Sequence, residues 1–185
     1  MVPPVSTRFL LIRHAESLWN AQRRWQGHAD PPLSRTGVAQ AEALATTLAD
    51  ERADHLYSSD LERAHHTARI VGKELGLEPL RDERLRELDV GAWEGLIRSE
   101  IEARDPQALS RFDSGDADAP AGGAESRGAM RERILDVFRD FETRHDGERV
   151  VVVAHLGVIL ALMPDAELPN AGLVRASFED FAAPR

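Results

Sequence analysis

The chain has 185 residues, of which 42% are hydrophobic and 30% charged, a composition typical of one soluble globular domain with a substantial core. Its formal net charge of −9 argues against a nucleic-acid or anionic-membrane partner. The absence of cysteine excludes a thiolate nucleophile, a thiolate metal site and a disulfide framework, and it fits a reducing compartment.

Apolar patterning predicts strands that alternate with helices. In chain order these are a strand at 8–12, a helix at 33–48, a strand at 55–58, a helix from 59 to about 76, a short segment at 84–88, a helix at 96–104, a loop at 114–124, a helix at 126–144 and strands at 149–154 and 173–178. Ser34 is the expected N-cap of the first helix, and Ser59 and Glu62 have capping-box spacing. The first apolar run is too short for a signal peptide or a membrane span, so we expect a cytoplasmic protein.

Strands alternating with helices indicate an α/β layered fold with a largely parallel sheet. Two strands of the buried type each end at a histidine, His14 after the first strand and His155 after the strand at 149–154. Because ligands of open α/β sheets bind at the carboxyl ends of the strands, we expect both histidines to face one active site.

Residues 11–20, LIRHAESLWN, match a signature in which a strand is followed by Arg-His-Gly-Glu-Ser/Thr and then by Trp-Asn. Further matching blocks follow in the same order, at residues 26–37, 58–68, 85–95 and 151–155. In these blocks the chain resembles the histidine phosphatase (phosphoglycerate mutase-like) superfamily from about residue 8 to residue 160. The resemblance implies a three-layer α/β/α sandwich, one domain over residues 1–185, and a small helical cap inserted at about 96–125.

The resemblance implies that His14 is the nucleophile and carries the phosphoryl group as a phosphohistidine. A neutral imidazole can attack phosphorus and later leave, and the neighbouring cations Arg13 and Arg63 would lower the pKa of His14. Both guanidinium groups can grip phosphoryl oxygens bidentately. By the same resemblance Asn20 adds a neutral donor to the phosphate.

His155 is expected across from His14, where it would stabilise charge on the transferring oxygens. Gln26 and Gly27 match the substrate loop of the family. Glu87 stands at the position of the general acid that protonates the leaving oxygen and then activates water. Three nearby carboxylates are alternatives for the role of general acid: Glu83, Asp89 and Glu94.

Two positions depart from the family pattern. Ala15 follows the first histidine and Leu156 follows the second, where the pattern has glycine, and an added Cβ at either position could disturb backbone contacts with phosphate. The stretch 163–172 also departs from the family pattern, because it replaces most of a helix that the family has.

No His-x-x-x-His spacing, Asp/His cluster or Walker-type loop is present, so we expect no metal and no nucleotide cofactor. His65 and His66, adjacent on a helix, cannot both face one site and are interpreted as structural or exposed. The expected substrate is a small phosphorylated metabolite, and a homodimer is left open.

Three functions are compatible with the resemblance. The favoured one is phosphomonoester hydrolysis, because residues 88–95, LDVGAWEG, look like the small-molecule phosphatase branch. A bisphosphoglycerate-dependent phosphoglycerate mutase is the second. A catalytically silent phosphate-binding or scaffold relative is the third, motivated by Ala15 and Leu156.

Overall fold

A five-stranded sheet with the order β3-β2-β4-β1-β5 forms the centre of the fold, in a computed structural model that describes residues 6–182. Its strands are β1 Arg8–Arg13, β2 His55–Ser58, β3 Leu80–Arg81, β4 Arg149–Ala154 and β5 Leu173–Ser177. Neighbours pair in parallel except β5, which runs antiparallel to β1 at one edge. The four predicted strands are confirmed, whereas β3 is too short for alternation to reveal.

Helices cover both faces of this sheet. They are α1 Leu18–Ala21, α2 Arg35–Thr47, α3 Glu62–Leu75, α4 Arg98–Arg104, α5 Pro106–Asp113, α6 Arg127–Arg144, α7 Leu156–Leu162 and α8 Phe178–Ala182. Alternate residues of β1 enter different cores: Leu10 and Ile12 pack with α2 and α3, while Phe9 and Leu11 pack with α6 and α7. The result is the predicted three-layer α/β/α arrangement with a mostly parallel sheet.

The helix ends follow local chemistry at most of the predicted positions. Ser34 caps α2 by accepting from the Gly37 amide, and Gly76 ends α3 with a left-handed φ of 69°. The predicted capping box before α3 is wrong, because the N-cap is Leu61 and makes no side-chain cap. The Ser59 hydroxyl accepts from the Leu61 amide instead, closing the turn that precedes the helix.

Four short helices, α1, α5, α7 and α8, were missed by the patterning. α1 and α8 span four and five residues, too few to show a 3.6-residue period. α5 has local signals that could have found it, since Asp105 caps it and Pro106 occupies its first turn. In the described residues no helix is both long and apolar enough to cross a bilayer.

Candidate active site

A cavity of about 610 Å³ opens at the carboxyl ends of β1 and β4. Seven of the eight residues that the sequence predicts for the site line it: Arg13, His14, Asn20, Gln26, Gly27, Arg63 and Glu87. The eighth, His155, packs against His14, with 5.2 Å between the ring centroids and an interplanar angle of 64°. The fold therefore brings residues from well-separated parts of the chain into one pocket.

His14 follows β1 directly and is only 3% exposed. Its Nδ1 lies 2.7 Å from the carbonyl oxygen of Ala15. Because a carbonyl can only accept, Nδ1 carries the proton and Nε2 keeps its lone pair. Burial, together with the charges of Arg63 and Arg13, lowers the pKa of His14 from 6.5 to about 3. The ring is therefore neutral at physiological pH.

His155 is the N-cap residue of α7 and is completely buried. Burial, the charge of Arg63 and the neighbouring His14 hold the pKa of His155 well below its usual value. Among residues 6–182 neither of its ring nitrogens has a hydrogen-bond partner. A buried polar atom without a partner costs about 1–3 kcal/mol, so these nitrogens indicate where a polar ligand is expected to bind.

Arg63, on α3, is completely buried and held by the loop that follows α1. Its Nη1 donates to the Ala29 carbonyl at 2.7 Å and its Nη2 to the Gly27 carbonyl at 2.9 Å. Nε has no partner within the described part of the chain. The two carbonyls fix the guanidinium, and Asp30 Oδ1 lies 3.9 Å from Nη1 in an ion pair whose carboxylate side chain is 45% exposed. Nε remains available to donate to a phosphate.

Arg13, the last residue of β1, is positioned in the same way. Its Nη1 donates to the Leu168 carbonyl at 2.7 Å, and in the described structure its buried Nε is unpartnered. Burial lowers the pKa of Arg13, and the charge of Glu87 opposes that shift. Two arginines with partly unused donors thus face a pocket that also contains His14.

The amide of Asn20 is oriented by the cap of α1. Its Oδ1 accepts from the Ser17 amide at 3.0 Å, and the Ser17 hydroxyl in turn accepts from the Asn20 amide. Since Oδ1 is thereby engaged, Nδ2 remains as a donor toward the cavity. The Gln26 Oε1 accepts from the Ser17 hydroxyl at 2.6 Å, so its amide nitrogen is likewise left to donate.

Glu87 reaches the cavity from the loop between the short 3-10 helices Glu83–Leu85 and Gly91–Trp93. Its carboxylate accepts from the Leu88 amide at 2.9 Å and from the Gly157 amide at 3.2 Å. A Cβ at position 157 would lie 2.1 Å from Glu87 Oε1. Position 157 must therefore be glycine for Glu87 to take this place, a requirement that the sequence pattern did not reveal.

The three alternative carboxylates lie outside the cavity lining, and two of them accept hydrogen bonds from backbone amides. Glu94 Oε1 accepts from the His28 amide at 2.6 Å and the Ala29 amide at 2.8 Å, which holds the loop that binds Arg63. Asp89 Oδ1 accepts from the Gly91 amide within a turn. Glu83 is exposed at the start of a 3-10 helix, so of the four carboxylates Glu87 is the one that lines the cavity.

The two departures from the family pattern have different structural consequences. Ala15 is completely buried and packs with Leu33 and Ala41, and its amide donates to Thr67 Oγ1 at 3.1 Å. Its Cβ is thus directed into the core. Leu156 does line the cavity and adds apolar surface there.

The short stretch 163–172, which departs from the family pattern, supports the site. The Asn170 amide nitrogen donates to the His14 carbonyl at 3.1 Å and to Asn20 Oδ1 at 3.3 Å. Leu168 supplies the carbonyl that holds Arg13. Sequence reasoning missed Asn170, because its contacts join positions about 150 residues apart.

A family model described as the histidine phosphatase superfamily, branch 1, matches residues 9–179. The chain belongs to this superfamily. It is 41% identical over 166 residues to phosphoglycerate mutase-like protein 4 of Arabidopsis thaliana, covering 88% of this chain and 71% of the relative. It is 38% identical over 159 residues to the metal-independent phosphoserine phosphatase of the same plant, covering 84% and 67%.

Solved structures agree with this assignment. A mycobacterial glucosyl-3-phosphoglycerate phosphatase bound to VO3 superposes with a TM-score of 0.84 at 31% identity, covering 91% of this chain and 90% of that chain. The family and fold predicted from the sequence are thereby confirmed.

In this histidine phosphatase the outer part of the cavity is basic and apolar. Four arginines that the sequence did not single out line it: Arg23, Arg24, Arg127 and Arg131. Arg23 has a left-handed φ of 56°, a conformation that costs a non-glycine residue free energy and is typical of functional loops. Arg127 stacks on the Phe112 ring at 3.6 Å, so the cations stand beside aromatic surface.

Proposed function

We propose that this chain is a phosphatase that hydrolyses small phosphomonoesters through a phosphohistidine formed on Nε2 of His14. The observation that carries the proposal is the neutral His14 ring, with its proton fixed on Nδ1 and with the buried Arg63 and the half-buried Arg13 beside it. Relatives named phosphoserine phosphatase and glucosyl-3-phosphoglycerate phosphatase support hydrolysis of small metabolites.

In the first step Nε2 of His14 attacks phosphorus, and the bond from phosphorus to the ester oxygen breaks as the new P–N bond forms. Arg13, Arg63 and the donors of Asn20 and Gln26 bind the equatorial oxygens, because phosphoryl transfer depends mainly on positioning and charge stabilisation. A protonated Glu87 gives its proton to the leaving oxygen, so the product departs as an alcohol.

In the second step water attacks the phosphohistidine. The Glu87 carboxylate takes a proton from this water as the P–O bond forms and the P–N bond breaks. His14 regains its lone pair on Nε2, and inorganic phosphate is released. His155, buried next to His14, would donate to the transferring oxygens in both steps.

The preferred substrate in this proposal carries a second anionic group. Arg23, Arg24, Arg127 and Arg131 surround the outer cavity, and cations there would bind a carboxylate at a distance from the phosphate. Phosphoserine, the substrate in the name of one relative, combines a phosphate ester with a carboxylate. The local charge also explains how an anion could enter a protein with a net charge of −9.

Residues 96–125 are proposed to act as a cap within a single domain. Phe112 and Ala117 from this stretch line the cavity, and Phe112 packs on Trp25 and Trp93. Grafting the stretch from a relative with another substrate should transfer selectivity. The cytoplasmic location and a homodimer stay predictions, which fractionation and light scattering would test.

Hydrolysis is tested by measuring phosphate release from p-nitrophenyl phosphate and phosphoserine in the presence of EDTA. We expect turnover without metal, acid-labile phosphate on the wild type, and neither in His14→Ala. A matched His66→Ala variant, outside the cavity, should retain activity. Phosphate trapped on another residue would overturn the nucleophile assignment, and no turnover by an intact fold would favour a silent relative.

Phosphoglycerate mutases are also named among the relatives and the solved structures. The mutase alternative is less supported, because these are 31% and 26% identical to the chain, whereas the phosphatases are 38% and 31% identical. It predicts that bisphosphoglycerate primes an interconversion of phosphoglycerates. An interconversion rate above the rate of hydrolysis would establish the mutase in place of the phosphatase.

A further inference from the structure

A second cluster of potential ligands lies away from the phosphatase cavity, formed by His55, His145 and Glu148. His55 Nε2 is 2.7 Å from Glu148 Oε2, and His145 Nδ1 is 3.2 Å from the same oxygen. The two imidazole rings lie face to face, with centroids 3.9 Å apart and an interplanar angle of 34°. Spacing along the sequence did not reveal this group, because His55 is far from the other two.

The cluster sits at the amino ends of the strands, opposite the active site. His55 opens β2, and Glu148 immediately precedes β4. His155 is seven positions after Glu148, which corresponds to about 23 Å of extended chain. A group bound here would not touch the reacting phosphate.

Hydrogen bonds hold the cluster in position. His145 and Glu148 close one turn, in which the Glu148 amide donates to the His145 carbonyl at 2.9 Å. The hydroxyl of Thr7 donates to the same carbonyl at 2.9 Å. His145 Nε2 lies 2.9 Å from the Tyr57 hydroxyl, so a proton on Nε2 can be donated to Tyr57 while Nδ1 keeps its lone pair.

That arrangement is what a histidine ligand of a metal requires. Metal-bound histidines usually donate their second ring N–H to an oxygen, which fixes the tautomer and the ring orientation. Nitrogen and carboxylate oxygen bind Zn²⁺ at about 2.0–2.1 Å, so ligand atoms around a tetrahedral ion lie about 3.3 Å apart. His55 Nε2 and Glu148 Oε2 would have to move apart by about half an ångström to reach this spacing, whereas His145 Nδ1 and Glu148 Oε2 are already close to it. All three ligand atoms lie within 4.8 Å of one another.

We propose that His55 Nε2, His145 Nδ1 and the Glu148 carboxylate bind one zinc ion, with water as the fourth ligand. His55 is about one-third exposed and Glu148 nearly half exposed, so an ion can enter from solvent. The bound ion would tie the start of β2 to the turn between α6 and β4. Its effect is therefore on stability, and phosphate chemistry proceeds without it.

The competing arrangement is a hydrogen-bonded trio in which Glu148 accepts from both rings and no ion binds. Calorimetric titration of the full chain with ZnCl₂ distinguishes the two. We expect saturable binding of one equivalent, a higher melting temperature on binding, and no response to MgCl₂, since Mg²⁺ prefers oxygen ligands. Absence of saturable zinc binding would overturn the proposal.

Variants locate the ion. His55→Ala and Glu148→Gln should each weaken zinc binding at least about tenfold, because each removes a ligand or its charge. The amide oxygen introduced by Glu148→Gln can still accept hydrogen bonds from the rings, so a loss of affinity in that variant would not follow from the trio alone. The matched control is His66→Ala, a histidine outside the cluster, which should bind zinc as the wild type does.

Two further variants test whether the ion binds elsewhere and whether Tyr57 orients a ligand. His14→Ala should retain zinc binding, whereas loss of binding there would assign the ion to the active-site histidines and overturn the proposal. Tyr57→Phe removes the acceptor for His145 and should weaken binding about 10–100-fold while the fold is kept. Unchanged affinity in both His55→Ala and Tyr57→Phe would likewise contradict this site.

Discussion

Gly157 lies so close to Glu87 that a Cβ at position 157 would come within 2.1 Å of Glu87 Oε1. The Gly157 amide donates to the same carboxylate. The proposed general acid is therefore placed by the first turn of α7, the helix that His155 caps. This contact predicts that Gly157 is a positioning residue.

Gly157→Ala should lower kcat about 100-fold, because a displacement of about 1 Å at a reacting group can have that effect. Its KM should change little, since the arginine contacts stay in place. The measurement is kcat in the wild type, Gly157→Ala, Glu87→Gln and the double variant. Additive losses in the double variant would contradict a role through Glu87.

Glu87→Gln should lower kcat for an alkyl phosphate about 10²–10⁴-fold, the usual contribution of a general acid. p-Nitrophenolate leaves without a proton, so Glu87→Gln should still release a burst of one equivalent of p-nitrophenolate per enzyme molecule. Slow hydrolysis of the phosphohistidine should follow this burst. Rapid-quench kinetics with both substrates measure this difference.

The matched variant for that experiment is Glu94→Gln. The Glu94 carboxylate accepts from two backbone amides of the loop that binds Arg63. Glu94→Gln should therefore raise KM, while the dependence of kcat on the leaving group should stay the same as in the wild type. A selective loss with alkyl phosphates in Glu94→Gln would transfer the acid role to that residue.

Acid should destabilise the protein partly through His14. Its pKa falls from 6.5 in the unfolded chain to about 3 in the fold, so the unfolded state binds more protons between these values. Stability is then lost as pH falls below about 6.5 and regained as pH rises. His14→Asn should reduce the loss between pH 7.5 and pH 4.5 by up to about 2 kcal/mol.

Urea denaturation at the two pH values measures this effect, with His66→Asn as the control. An equal loss of stability in His14→Asn and the wild type would show that the His14 ring is not held neutral by its surroundings.

Arg23→Asn should raise KM for phosphoserine about 2–5-fold, because an exposed charge pair is worth about 1 kcal/mol or less. Asparagine tolerates the left-handed φ at position 23, so the variant removes the cation without straining the turn. KM for p-nitrophenyl phosphate, which lacks a carboxylate, should stay the same. Equal effects on both substrates would place Arg23 at the phosphate.

Arg139→Asn is the control for Arg23→Asn, because it removes one positive charge far from the proposed carboxylate site. Arg139 is exposed on α6 and pairs with Asp136, so this variant reports the effect of net charge alone. A similar increase in KM for phosphoserine in Arg139→Asn would assign the effect to long-range charge.

The four main strands, the long helices and the two strand-end histidines could be predicted from sequence, because each depends on local patterning. His14 and His155 end buried strands, and parallel strands bring their carboxyl ends to one edge. The short helices and the cap of α3 could not be predicted in the same way. Leu61 rather than Ser59 is the N-cap of α3, and the Glu62 amide in the first turn donates to Asp30 Oδ1, a partner 32 residues away that spacing does not reveal.

The sequence by itself determined the family and the layered fold, and it supplied the candidate residues of the site. The sequence favoured Glu87 as the acid and left Glu83, Asp89 and Glu94 open, and the tertiary structure places Glu87 in the cavity lining. Only the tertiary structure brought His55 beside His145. The physical reason is that periodicity and spacing encode contacts between near neighbours in the chain. Contacts such as Glu87 with Gly157 depend on how distant loops pack together, and spacing carries no information about that.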